Sequence, residues 1–182
     1  SFDSGNCVDT GDDRRHLFNT SVVVATPEFA NSTVRALASG WQFSSIVRVL
    51  SGSYISATTN RDPSFTDSNT QRVNMIGENP YGDKTPGNYL NSAAFEMPAA
   101  GNFANTGRSS ILGPGTWQFD VSLTRSFDLT ESQRIELRAE AFNLTNSTKF
   151  DNPQTNWSSN RFGRITSSKD PRIMQFALKY YF

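Results

Sequence analysis

The side chains able to do chemistry are few and scattered. His16 is the only histidine; it sits beside Arg14 and Arg15 with no Ser or Cys nucleophile pattern nearby. General base catalysis needs a partner to activate and a third group to orient the base. His16 therefore reads as a polar residue at a strand end. Asp9, Asp12 and Asp13 could offer oxygens to Ca²⁺, but they lack the EF-hand spacing and its closing Glu, and read as a solvated acidic turn. Cys7 is the single cysteine, with no CxxC or Cys/His spacing around it, and reads as a spare thiol or half of a bridge to another segment. Asn-x-Ser/Thr sequons begin at Asn19, Asn31, Asn143, Asn146 and Asn156, which an Asn-, Ser- and Thr-rich chain produces by accident. No glycine-rich phosphate loop opens a helix. The reading is not an enzyme, with no metal and no cofactor.

The elements around these residues say more. Of 182 residues, 36% are hydrophobic and 12% aromatic, enough aromatic surface to order a chain rich in small polar residues. Seventeen basic and seventeen acidic side chains cancel, so nothing supplies the basic surplus that holds nucleic acid. The longest aliphatic run, Val22-Val23-Val24-Ala25, is far short of the ~20 residues of a membrane helix. The start, without Met or a signal peptide, reads as a processed or truncated end.

Two-residue alternation dominates. Trp117, Phe119, Val121 and Leu123 point one way, with Gln118, Asp120, Ser122 and Thr124 between them. Successive strand side chains face opposite sides, so this is an amphipathic strand. After the turn Asp128-Leu129-Thr130-Glu131, Ile135, Leu137, Ala139 and Ala141 oppose Arg134, Glu136, Arg138 and Glu140. The two runs predict an antiparallel hairpin. Its charged face suits either water outside a soluble sandwich or the polar lumen of a membrane barrel. Further strands are predicted over 14–26, closed by Pro27, over 40–51, where Ile46 interrupts the polar face, near 162–166, and from Ile173 to the end. Residues 28–39 are compatible with a helical turn or a second turn between strands. In the last strand Met174, Phe176, Leu178, Tyr180 and Phe182 share one face. The expected fold is all-β, an antiparallel meander of about five to seven strands in one domain. It is strand-rich over 13–57 and 116–182, with one long Asn-, Ser-, Gly- and Pro-rich loop over 58–115. The loop's aromatics (Phe65, Tyr81, Tyr89, Phe95, Phe103) predict that it folds down onto something.

An ordered set of short motifs runs through the chain. Asp13-Arg14-Arg15-His16-Leu17-Phe18, Gly40-Trp41-Gln42-Phe43 and Ser51-Gly52 come first. Tyr89-Leu90-Asn91, Ala94-Phe95, Gly107-Arg108 and Gly113-Pro114-Gly115 follow, then Trp117-Gln118-Phe119-Asp120 and the stretch from Arg138 to Asn146. Phe162-Gly163-Arg164-Ile165, Asp170-Pro171-Arg172 and a terminal Phe182 complete it. In this order the motifs resemble the C-terminal end of TonB-dependent receptor barrels, above all the type with a carboxypeptidase-regulatory-like N-terminal domain. The family's TonB box, plug and most of its barrel strands are not in these residues. The resemblance implies an outer-membrane location in a Gram-negative bacterium. It also implies nutrient uptake or surface binding by the whole receptor, and an assembly signal at Phe176, Leu178, Tyr180 and Phe182. Trp41, Trp117 and Tyr181, near predicted strand ends, would form an aromatic girdle; in a soluble sandwich they would be core. Tyr54, Tyr81 and Tyr89, with Arg72 and Arg108, either line a mouth for sugar or peptide or pin the loop to the barrel rim.

Five to seven strands are fewer than the eight or so of the smallest bacterial membrane barrels. An open edge in lipid leaves amides and carbonyls unpaired at several kcal/mol each. The edges must therefore meet missing strands of the same receptor, other copies of the chain, or each other. The first gives a receptor barrel in outer-membrane lipid. The second gives an extracellular fibre or sheath built by strand pairing between copies. The third gives a soluble sugar- or peptide-binding sandwich.

Overall fold

The computed structural model describes residues 14–182, so the candidates Cys7, Asp9, Asp12 and Asp13 lie outside the described residues. One antiparallel sheet contains five strands, β1 (Leu17–Ala25), β2 (Trp41–Leu50), β3 (Thr116–Asp128), β4 (Arg134–Phe142) and β5 (Ile173–Tyr181), each beside its neighbour in the chain. The expected all-β meander is the fold observed. The hairpin β3–β4 runs in unbroken register from Val121 opposite Ala141 to Asp128 opposite Arg134, and β4–β5 from Arg134 opposite Tyr181 to Phe142 opposite Ile173. Thr26 N–H to Trp41 O and Ser51 N–H to His16 O, both 2.9 Å, bracket β1–β2.

Residues 28–39 resolve into a short helix, α1 (Ser32–Ala38). Asn31 starts it, its side-chain oxygen accepting from the amides of Thr33 at 3.0 Å and Val34 at 3.2 Å, which satisfies donors that a first helical turn leaves without partners. Gly40 then returns the chain to the sheet at φ +78°, where a Cβ would meet the Ser126 carbonyl oxygen at 2.6 Å. The same Gly40 carbonyl accepts the Ser126 N–H at 3.0 Å.

The chain divides into two compact units. The sheet and its short connections, residues 17–49, 117–148 and 170–182, form one; described residues 14–16, 50–116 and 149–169 form the other. The second unit carries the hydrophobic core. Ile55, Ala57, Val73, Tyr89, Leu90, Ala94, Phe95, Ile111 and Phe162 are buried together, with Met75, Tyr81, Trp157 and Ile165 against them. Small two-stranded ladders brace it, including Tyr54–Ile55 with Ile111–Leu112 and Asn74–Met75 with Phe95–Glu96. The long loop thus builds a core of its own, with a contribution from 149–169.

The strand expected near 162–166 is a turn. Phe162 N–H donates to Ser159 O at 3.1 Å, and Gly163 follows at φ +75°. Phe162 and Ile165 both pack on the core, but from a coiled segment, and their spacing of three is not that of one strand face. Gly163 is central there: its carbonyl accepts from the amides of Tyr89 at 2.8 Å and Leu90 at 3.1 Å. A Cβ at this position would sit 2.2 Å from the Leu90 carbonyl oxygen. Gly163→Ala combines left-handed strain with a backbone clash and is expected to destabilise this unit by about 3 kcal/mol. Urea unfolding followed through Trp157, with Trp41 and Trp117 replaced by Phe, would read it; an unchanged midpoint would refute the argument.

Candidate functional site

The two faces of the sheet are amphipathic in an inverted sense. Met174, Phe176, Leu178 and Tyr180 stand opposite Ala141, Ala139, Leu137 and Ile135, which in turn face Val121, Leu123, Arg125 and Phe127. This apolar surface is bare: Phe176 is 76% exposed and Leu178 68%. On the other face the Glu136 and Glu140 side chains are only 12% and 20% exposed. Arg138 lies between them, 3.0 Å from Glu136 and 3.8 Å from Glu140. Gln175 donates to Glu140, and Gln118 to Asp120 at 2.7 Å. Among the described residues, Ala141 is the only buried hydrophobic residue of the sheet unit. In water a sheet hides its apolar face and wets its charged one. Here the charges are sheltered and the hydrocarbon is bare.

The predicted residues of this sheet fall as follows. Phe176, Leu178 and Tyr180 share the apolar face, and the Tyr180 and Phe182 rings stack with centroids 5.9 Å apart. Trp41 opens β2 and Trp117 lies near the start of β3, at opposite ends of the sheet. Tyr181 pairs with Arg134 on the charged face, and the Arg134 guanidinium lies 4.6 Å over its ring. Tyr180 is the tyrosine that occupies the apolar face at that end. His16 precedes β1; its carbonyl accepts the Ser51 N–H at 2.9 Å and its own N–H donates to the Ser51 hydroxyl oxygen at 3.1 Å. Asn143, inside a sequon, is buried, and its side chain closes a turn by accepting the Ser147 N–H at 3.0 Å.

The second unit separates the predicted ligand contacts into two groups. Tyr54, Arg72 and Arg108 line one cleft of about 630 Å³, together with Phe103, Gln71, Asn152 and a row of hydroxyls that includes Thr58, Thr66 and Ser68. Phe103, 72% exposed, brings an open aromatic ring to the rim. Arg15 stacks on the Tyr54 ring at 5.2 Å. One wall is held by Asp62, whose carboxylate accepts from the amides of Thr66 at 3.1 Å and Asp67 at 2.6 Å and from the Gln71 side chain. Desolvation raises the Asp62 pKa, but these donors outweigh it and hold the carboxyl below its usual range. Tyr81 and Tyr89 lie elsewhere, edge to face at 5.9 Å, both hydroxyls donating to the Leu112 carbonyl. They close the core. Among the described residues no cluster of three or more His, Cys, Asp or Glu could hold a metal ion.

Tyr89 also makes this core sensitive to alkali. Burial, with a smaller contribution from Tyr81, pushes its hydroxyl up from 10.0 to about 12. The folded unit keeps its proton after an unfolded chain has released it. Stability is therefore level below pH 10 and falls as pH rises from 10 toward about 12. Tyr89→Phe should flatten that fall in thermal melts read through Trp157. A fall of equal depth in the variant would assign the effect to other groups.

A strand-built surface of bare hydrocarbon backed by sheltered charge is that of a transmembrane β-barrel wall. No helix among the described residues is long and apolar enough to cross a membrane, which leaves crossing by strands untouched. Over residues 3–175 the chain matches the family described as outer membrane beta barrel domain, and it belongs to that family. No curated protein and no solved structure matches it. The chain is thus an outer-membrane barrel protein, placed in outer-membrane lipid.

Proposed function

We propose that the chain is the C-terminal part of a TonB-dependent receptor-like barrel of a Gram-negative outer membrane, serving nutrient uptake or surface binding and catalysing no reaction. The inverted exposure of the sheet faces carries this reading, and the ordered motifs from Asp13 to Phe182 supply its finer assignment. The connections at one end of the sheet are short, 26–40 and 129–133, and β5 also finishes there; the chain leaves the other end through 51–115 and 143–172. Outer-membrane barrels put short turns in the periplasm and long loops outside. In that orientation the cleft belongs to a connection on the cell exterior, where a ligand is first met.

In the described residues β1 and β5 are the sheet's two edges. Lipid cannot satisfy edge amides, so each takes a further strand of the same receptor. A second reading rests on those same edges: copies of the chain pair with one another and form an extracellular fibre. Electron microscopy of native material without detergent separates the two. Membrane patches, with single particles appearing only in detergent, fit the receptor. Ordered fibres repeating this one chain would replace it with the structural subunit.

A further inference from the structure

Arg125 is out of place on its face. It stands between Leu123 and Phe127 on β3, opposite Leu137 of β4, in the apolar surface of the sheet. Its guanidinium carbon lies 4.9 Å from the centre of the Trp41 ring and 4.4 Å from that of Phe127. One Nη2 hydrogen bond goes to the Ala36 carbonyl of α1, while the buried Nε finds no partner among the described residues. A guanidinium carries five donors and cannot be deprotonated in a protein. The rings fix its position, and a full positive charge is left on a surface that faces lipid.

A groove of about 480 Å³ starts at that charge and is lined by Trp41, Leu123, Leu137, Ala139, Phe176 and Leu178. Its floor is explained by side-chain size. Ala139 lies in register between Leu123 and Phe176, so a small residue is flanked by two bulky ones. The direction matters as much as the shape. Arg125 is three residues from Asp128, where β3 ends at the short-turn side of the sheet. At ~3.3 Å per residue and a tilt of ~45°, it lies about 7 Å deep, in the interfacial zone. Arginine on a lipid face costs only ~0–1 kcal/mol at such depth, against ~2–4 at the midplane. From Arg125 the groove passes Leu137 to Ala139, away from the turn end and toward the middle of the bilayer.

We infer that this groove is a specific site for one glycerophospholipid, its phosphate on Arg125 and one acyl chain along Leu137 and Ala139. The geometry matches an amphiphile of that polarity: anion at the interface, hydrocarbon inward. Arg is also the side chain best suited to phosphate, through paired donors in one plane. The proposal rests on the barrel reading above, whose short-turn end faces the periplasmic leaflet.

The test uses the full-length protein extracted from outer membranes in dodecyl maltoside and stripped by washing. Dioleoylphosphatidylglycerol is then titrated in, and retained lipid is counted by native mass spectrometry. Wild type should keep one phospholipid per chain. Arg125→Gln should lose it at least tenfold more readily. Because Arg125 also holds α1, a second variant leaves it untouched: Ala139→Trp fills the groove from the lipid side and should expel the chain. Ser122→Arg, on the charged face, should retain the lipid as wild type does. Retention in either Arg125→Gln or Ala139→Trp overturns the proposal, as does equal loss from Ser122→Arg. Membrane fractionation of the same cells keeps the two readings apart. A wild-type protein absent from the membrane fraction would defeat the barrel reading, whereas one that is inserted but holds no lipid defeats this inference alone.

Discussion

Phe182→Asp is expected to abolish accumulation in the outer membrane, with Phe182→Tyr close to wild type. Phe182 is 94% exposed and stacks only on Tyr180, so nothing in its folded surroundings depends on it for packing. A soluble domain would tolerate the change. In lipid, or against a barrel-assembly partner, the ring contributes about 2–3 kcal/mol that a carboxylate forfeits, on the order of 30–150-fold in occupancy. Quantifying the protein in outer-membrane and soluble fractions reads the effect directly. Normal membrane levels of Phe182→Asp would remove the last strand's proposed role as assembly signal.

The second large effect compares adjacent residues. Leu123→Arg places a cation on the bare face near the middle of β3, and should cost ~2–4 kcal/mol of stability in lipid vesicles. Ser122→Arg, one residue earlier, lands opposite Glu140 on the charged face. A cross-strand pair of opposite charge is worth ~0.2–1 kcal/mol, so this variant should be neutral or slightly more stable. Urea titration of both proteins reconstituted in phosphatidylcholine vesicles measures the difference. Equal effects would mean that neither face meets lipid.

The long strands were legible in the sequence because each is long enough to show its period. The hairpin from Val121 to Ala141 needed only alternation and a polar turn, and β5 follows from Met174, Phe176, Leu178 and Tyr180. Tyr181 was legible too, for the parity that puts Tyr180 with Leu178 puts Tyr181 with Lys179. Helix α1 was legible only as one of two alternatives for 28–39, because its stability comes from the Asn31 cap and from Trp41 and Arg125 holding its carbonyls, none of which is a periodicity. The core of the second unit is braced by ladders of two to five residues, most too short for alternation to register. The cleft was half visible. Tyr54, Arg72 and Arg108 stood out by type, but Phe103 and Gln71 reach it through turns with Phe65, Asp67 and Ser109 in left-handed conformation, which residue type does not announce.

The core assembled from two distant stretches of chain has a consequence for the order of folding. Tyr89, Leu90 and Phe95 come from the first excursion; Phe162 and the Gly163 carbonyl that holds Tyr89 and Leu90 come from the second, after β3 and β4 have been made. A nascent chain therefore emerges with its apolar cluster unfinished and must carry it unclosed until residue 163 arrives. Contacts of such sequence separation form slowly, since the intervening loop must be closed before any of them is rewarded. The local β3–β4 hairpin is free to form first. Between those two moments Leu90 and Phe95 lack the partner segment that buries them in the finished core.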